Sequence, residues 1–111
     1  MINEMITTET AEAALDHLKG TDEKDAKLKS NLEWLKEKKK NIIALAQDES
    51  DKTSQAAKEQ DALTSFEYTN WLEEYKAATY DYLLCHNKRA SAALQIEMWR
   101  SINANQRSGN I

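Results

Sequence analysis

Counted in alternating steps of three and four residues from Tyr68, one stripe of the chain carries Trp71, Tyr75, Ala78, Tyr82, Cys85, Arg89, Ala92, Ile96 and Trp99. Of these ten positions only Arg89 is neither apolar nor aromatic, which is the pattern of a heptad seam on a long helix. Leu72, Leu83, Leu94 and Met98 lie beside the seam and widen the apolar surface beyond what one partner helix buries. An earlier series, Leu28, Leu32, Leu35, Ile42 and Ala46, interrupted by Lys39, predicts a second long helix over 22–47. A shorter face of Ala11, Ala14, Leu15 and Leu18 predicts a helix over 8–19, with Thr8 able to cap its start and Gly20 suited to end it.

Between the long elements, "DESDKTS" over 48–54 is polar and rich in capping types, so it reads as a connection. The last helix is predicted over 55–105. "TSFE", Thr64 to Glu67, has capping-box spacing and marks a break near 64, while the polar residues 106–111 are expected to fray. The expected fold is all-α and a single domain over 1–111: a short N-terminal helix plus two long helices in an antiparallel hairpin or coiled-coil bundle. At 1.5 Å per residue the two long helices measure roughly 39 Å and 63 Å, so one cannot cover the other. The seam near Ala92, Ile96 and Trp99 is left for the first helix, another chain, or both, and a homo-oligomer is expected.

Composition agrees with long helices. Among 111 residues, 31% are charged, none is proline and only Gly20 and Gly109 are glycine. The longest apolar runs, such as Ile42 to Ala46, are far short of the roughly 20 residues a membrane span needs, and the N-terminus has no basic region followed by an apolar core. A soluble, cytoplasmic protein without a membrane partner is the expectation. One cysteine cannot form an intramolecular disulfide.

The net charge of −4 is unevenly placed. Three lysines face nine acids between Asp48 and Leu83, whereas Lys88, Arg89, Arg100 and Arg107 face only Glu97 between Leu84 and Ile111. A second basic run, "KEKKK" from Lys36 to Lys40, sits in the predicted second helix, where such runs are usually a solvated face.

"LLCHNKRASAAL", Leu83 to Leu94, sets Cys85 beside His86. Adjacent helical residues point about 100° apart, so the pair lacks the mutual reach of a nucleophile and its base. No second Cys/His pair completes a metal site, and His17 reads as a helix-face residue. No phosphate loop, metal motif or serine triad occurs, and neither a cofactor nor catalysis is expected.

Binding is the better expectation. Lys36, Lys38, Lys39 and Lys40 fall near Trp34, while Arg100 adjoins Trp99 and Lys88 and Arg107 lie on the same helix; cations attract phosphate and exposed aromatics stack on unpaired bases. Tyr68, Trp71, Tyr75, Tyr82, Cys85, Arg89, Ile96 and Trp99 form the packing or oligomer seam. The seam cations Lys39 and Arg89 admit two readings: they fix register at some cost in stability, or their stems pack while the charges reach water.

"LQIEMWRSINANQRSGN", Leu94 to Asn110, with its Ile-Glu-x-Trp-Arg-Ser core and polar Ala/Asn/Arg tail, resembles small helical proteins from early or recombination regions of tailed phages. Most of the chain also resembles, more loosely, the T4-type recombination mediator family: a short first helix, a lysine-rich second helix, an acidic connection and a long aromatic helix ending in basic residues. That resemblance implies a ring-like homo-oligomer in a bacterial host's cytoplasm that binds single-stranded DNA and helps a recombinase replace a single-strand-binding protein. Lys36, Lys38, Lys39 and Lys40 match the family's basic second-helix region, but the basic residues that follow there are replaced by the uncharged "ALAQ", Ala44 to Gln47. A helical module that recruits or inhibits a host factor is the alternative.

Overall fold

The computed structural model describes residues 6–109, and every regular element among them is α-helical. Three helices follow in order: α1 over Thr8–Asp48, α2 over Gln55–Leu63 and α3 over Phe66–Gly109. The short N-terminal helix expected over 8–19 is therefore not separate. Gly20 lies inside α1 with no left-handed backbone, and a Cβ there would meet nothing within 4 Å.

The physical reason is a heptad that runs straight through the glycine. Ala11, Ala14, Leu18, Thr21, Asp25, Leu28, Leu32 and Leu35 are all buried or half-buried, so both sides of Gly20 share one packed face. Glycine costs about 1 kcal/mol in a helix interior, less than the packing on either side contributes. Thr21 and Asp25 are polar seam positions, which disguised the continuity.

The caps also differ by one residue from the expected ones. Thr7, not Thr8, starts α1: its Oγ1 accepts from the Thr10 amide at 3.2 Å and its carbonyl from the Ala11 amide. The break near 64 is two residues long, and Ser65 rather than Thr64 caps α3, its Oγ accepting from the Tyr68 amide at 3.2 Å. Thr64 instead donates to the Gln60 carbonyl and closes α2. At the other end, α3 continues through Gly109 where fraying was expected from 106, and Asn110 and Ile111 lie outside the described residues.

The chain divides into two compact units. In the first, residues 6–26 pack antiparallel against 83–109, burying Ala11, Ala14, Cys85 and Ala92. The second, Lys27–Tyr82, holds the core cluster of Leu32, Leu35, Trp71 and Ala78, with Ile42, Tyr68, Tyr75 and Tyr82 packed against it. Trp71 stacks between Tyr68 and Tyr75 at ring-centroid distances of 5.7 and 5.1 Å. Its indole Nε1 donates to the Leu35 carbonyl at 2.8 Å, which fixes one register of α1 on α3 within this unit.

In the connection, Ser54 caps α2 by accepting from the Ala57 amide, and Ser50 donates to Asp61 Oδ2 at 2.6 Å. Ala62, at 0% exposure, is the most deeply buried apolar residue among those described, and its carbonyl accepts from the Ser65 amide and hydroxyl at the turn into α3.

Candidate functional site

All ten positions of the long seam are buried or half-buried. Cys85 is a buried free thiol in the first unit, while the neighbouring His86 is exposed. Adjacent helical positions keep their side chains apart, and among the described residues no group of His, Cys, Asp and Glu could hold a metal ion.

The two seam cations have different fates. Arg89, 20% exposed at its side chain, turns its guanidinium onto α1: Nη1 donates to the Leu18 carbonyl at 2.7 Å and to Thr21 Oγ1 at 2.8 Å, and Nη2 donates to Asp22 Oδ1 at 2.6 Å. Its Nε lies 4.0 Å from Asp25 Oδ2. Thr21 in turn donates to the His17 carbonyl. The head is thus held by protein groups from two turns of α1, and the reading in which its charge merely reaches water does not describe it. Lys39 is exposed and sets its Nζ 5.5 Å from the Trp71 ring centroid, a cation–π contact over the aromatic core of the second unit.

The lysine run splits over three directions. Lys36 pairs with Glu33 at 3.6 Å and Lys40 with Glu37 at 3.9 Å, so one exposed face of α1 alternates acid and base at helical spacing. Lys38 places its Nζ 4.9 Å above the ring of Trp34, which is 58% exposed. Trp34 and Lys38 thus share one exposed side of α1, whereas Lys36 and Lys40 lie about 160° and 120° from Trp34 around the helix axis. Lys88, Arg100 and Arg107 belong to the other unit, spread along α3 over roughly 18 and 10 Å by helical rise, and Arg100 bonds Glu97 at 3.0 Å.

Two open grooves flank the helix pair of the first unit. One, of about 640 Å³, is lined by small and polar side chains, among them Thr10, Ala13, His17, Ser91 and Gln95, with Lys88 its charged residue. His17 is half-buried there, its Nε2 enclosed without a hydrogen-bond partner among the described residues, as is Asp25 Oδ1. The other, of about 260 Å³, is lined by larger apolar side chains, Leu15, Ile96 and Trp99, with Glu12 and Arg100 beside them. Neither is an enclosed pocket.

Sequence reasoning missed the partners of Arg89 and the acids of the lysine face. The signal for the first was the heptad carried through Gly20, which puts Thr21 and Asp25 on the seam. For the second it was Glu33, Lys36, Glu37 and Lys40 at three-and-four spacing.

The apolar balance is the most telling feature. Among the described residues nine apolar residues are buried, five of them alanine, while eleven large apolar side chains are exposed, including Phe66 at 79%, Leu45 at 62% and Leu94 at 60%. Scattered exposed leucines are ordinary, but among the described residues the exposed large apolar side chains outnumber the buried apolar ones. No helix among the described residues is long and apolar enough to cross a membrane.

The fold and its surface define an all-helical protein with paired long helices and unusually exposed apolar side chains. Comparison with protein-family models, curated proteins and solved structures found no match.

Proposed function

We propose that this is a non-enzymatic, self-associating helical accessory protein of DNA recombination or replication, acting by assembly and by contact with single-stranded DNA and recombination proteins. The observation that carries it is the apolar imbalance: exposed large apolar residues outnumber the buried core. A small chain in that condition lowers its free energy by association. The DNA contact rests on the exposed Trp34 with Lys38 over its ring, with Lys36 and Lys40 on another side of α1 and the basic stretch of α3 through Lys88, Arg100 and Arg107 as further cation sources. The link to recombination rests on the Leu94 to Asn110 resemblance, and a recombinase or a single-strand-binding protein as partner rests on the looser resemblance of most of the chain to the recombination mediator family.

A second reading, a protein-interaction module that recruits or inhibits a host factor, is favoured by the pairing of Lys36 and Lys40 with Glu33 and Glu37, which leaves that face close to neutral. Fluorescence anisotropy with a labelled single-stranded oligonucleotide, against duplex at low and near-physiological salt, separates them. Saturable, salt-sensitive binding that prefers the single strand and falls in a Lys36→Gln, Lys38→Gln, Lys40→Gln variant supports the DNA-binding reading. No binding at low salt removes direct DNA contact and favours the interaction module.

A further inference from the structure

In the first unit, the smaller of the two grooves has Ala11, Ile96 and Trp99 sunk within it and Leu15, Glu12 and Arg100 exposed along it. Its two walls carry opposite charges. Glu12 comes from α1 and Arg100 from α3.

The same asymmetry extends through the unit. Residues 6–26 hold six acids against two lysines, and residues 83–109 hold four basic residues against one acid. Leu15, next to the groove, remains 44% exposed and has no counterpart in its own chain that covers it fully.

We infer that a second copy of this chain occupies this groove in a twofold-symmetric contact, an inference that rests on the self-association reading and specifies its surface. A twofold axis presents the same patch from both copies, and one that runs parallel to the helices sets the α1 wall of each against the α3 wall of the other. Glu12 of each copy then meets Arg100 of the other, twice per dimer. Leu15 of each copy seats against Ile96 and Trp99 of the other, placing apolar contact at the centre and paired charges at the rim, the usual arrangement of a specific interface.

Arg100 is available for this. Its bond to Glu97 lies at side-chain exposures of 66% and 65%, and exposed pairs of that kind contribute little to the fold. The wider groove is the poorer candidate, because Lys88 lines it and no acid does, so a twofold contact there would set lysine against a neutral wall or against another lysine.

Sedimentation velocity on the full chain across the micromolar range, with circular dichroism on each variant, tests the inference. Glu12→Arg and Arg100→Glu singly should each weaken the dimer by about tenfold or more through like-charge contacts, and the double exchange should recover most of that loss. Leu15→Asp should be monomeric at concentrations where the parent associates, with unchanged helical content, since Leu15 is already exposed in the single chain. If the parent associates while Leu15→Asp and both single reversals associate equally well, another face carries the assembly: this inference falls and the self-association reading stands. Should the parent be monomeric throughout, both fall together. Loss of association in the single reversals without recovery in the double would also overturn the Glu12–Arg100 pairing.

Discussion

The two units use the same pair of helices and reach stability by different means. The second buries bulk: Leu32, Leu35 and Trp71 pack with three tyrosines, and Trp71 satisfies its one polar atom on the Leu35 carbonyl. The first buries small side chains, Ala11, Ala14, Cys85 and Ala92, and replaces missing bulk with the Arg89 network on α1. Small buried residues let helices approach but remove little apolar surface from water. Both units still expose large apolar side chains, Leu15, Leu83, Leu84, Leu94 and Met98 in the first and Trp34, Leu45, Leu63, Phe66, Leu72 and Tyr80 in the second, so they differ in what they bury rather than in what they expose.

The contrast makes graded predictions. Trp71→Ala should have the largest effect, about 3–5 kcal/mol of destabilisation, because it empties a buried stack and orphans its packing partners; chemical denaturation followed by circular dichroism measures it. Trp99→Ala should cost the isolated chain less, about 1–2 kcal/mol, since that ring is only half-buried, but should cost the assembly more. An equal loss of fold stability at Trp71 and Trp99 would erase the distinction between the units.

Arg89→Ala comes next, at about 2 kcal/mol in the same denaturation experiment, because it leaves Asp25 and the Leu18 carbonyl without their partner. Arg89→Met combined with Asp25→Leu should recover most of that loss, since apolar side chains of similar size avoid the cost of isolated buried charge. Strictly additive effects in that double-mutant cycle would show that Arg89 does not act through Asp25. The smallest effect is a gain: Gly20→Ala should stabilise α1 by about 0.5–1 kcal/mol, as the added methyl meets nothing and glycine is the poorer helix former. Destabilisation at that position would mean that the helix bends or opens at Gly20 after all.

Much of the fold was legible because it depends on spacing. The three-and-four count from Tyr68 to Trp99 picked out the buried side of α3, since burial on a helix paired with one partner follows the heptad. The first half of α1 was misjudged because glycine after an apolar run resembles a helix stop, and because Thr21 and Asp25 do not look like seam residues until Arg89 is placed opposite them. The cap shifts, Thr7 for Thr8 and Ser65 for Thr64, reflect neighbouring residues with nearly equal capping ability. At the candidate site the lysine run was visible, but not its division: Lys36 and Lys40 face two glutamates, Lys38 covers Trp34 and Lys39 covers Trp71. Composition counts charges without their directions around a helix.

Self-association is the claim on which the functional reading depends, and sedimentation equilibrium tests it most directly. Across the micromolar range the mass should rise from that of the 12.7 kDa chain toward a whole multiple of it as concentration increases, or sit at that multiple throughout. A mass of 12.7 kDa at every concentration, with a fully helical spectrum, would show that the exposed apolar side chains are tolerated in water and that the assembly reading is wrong.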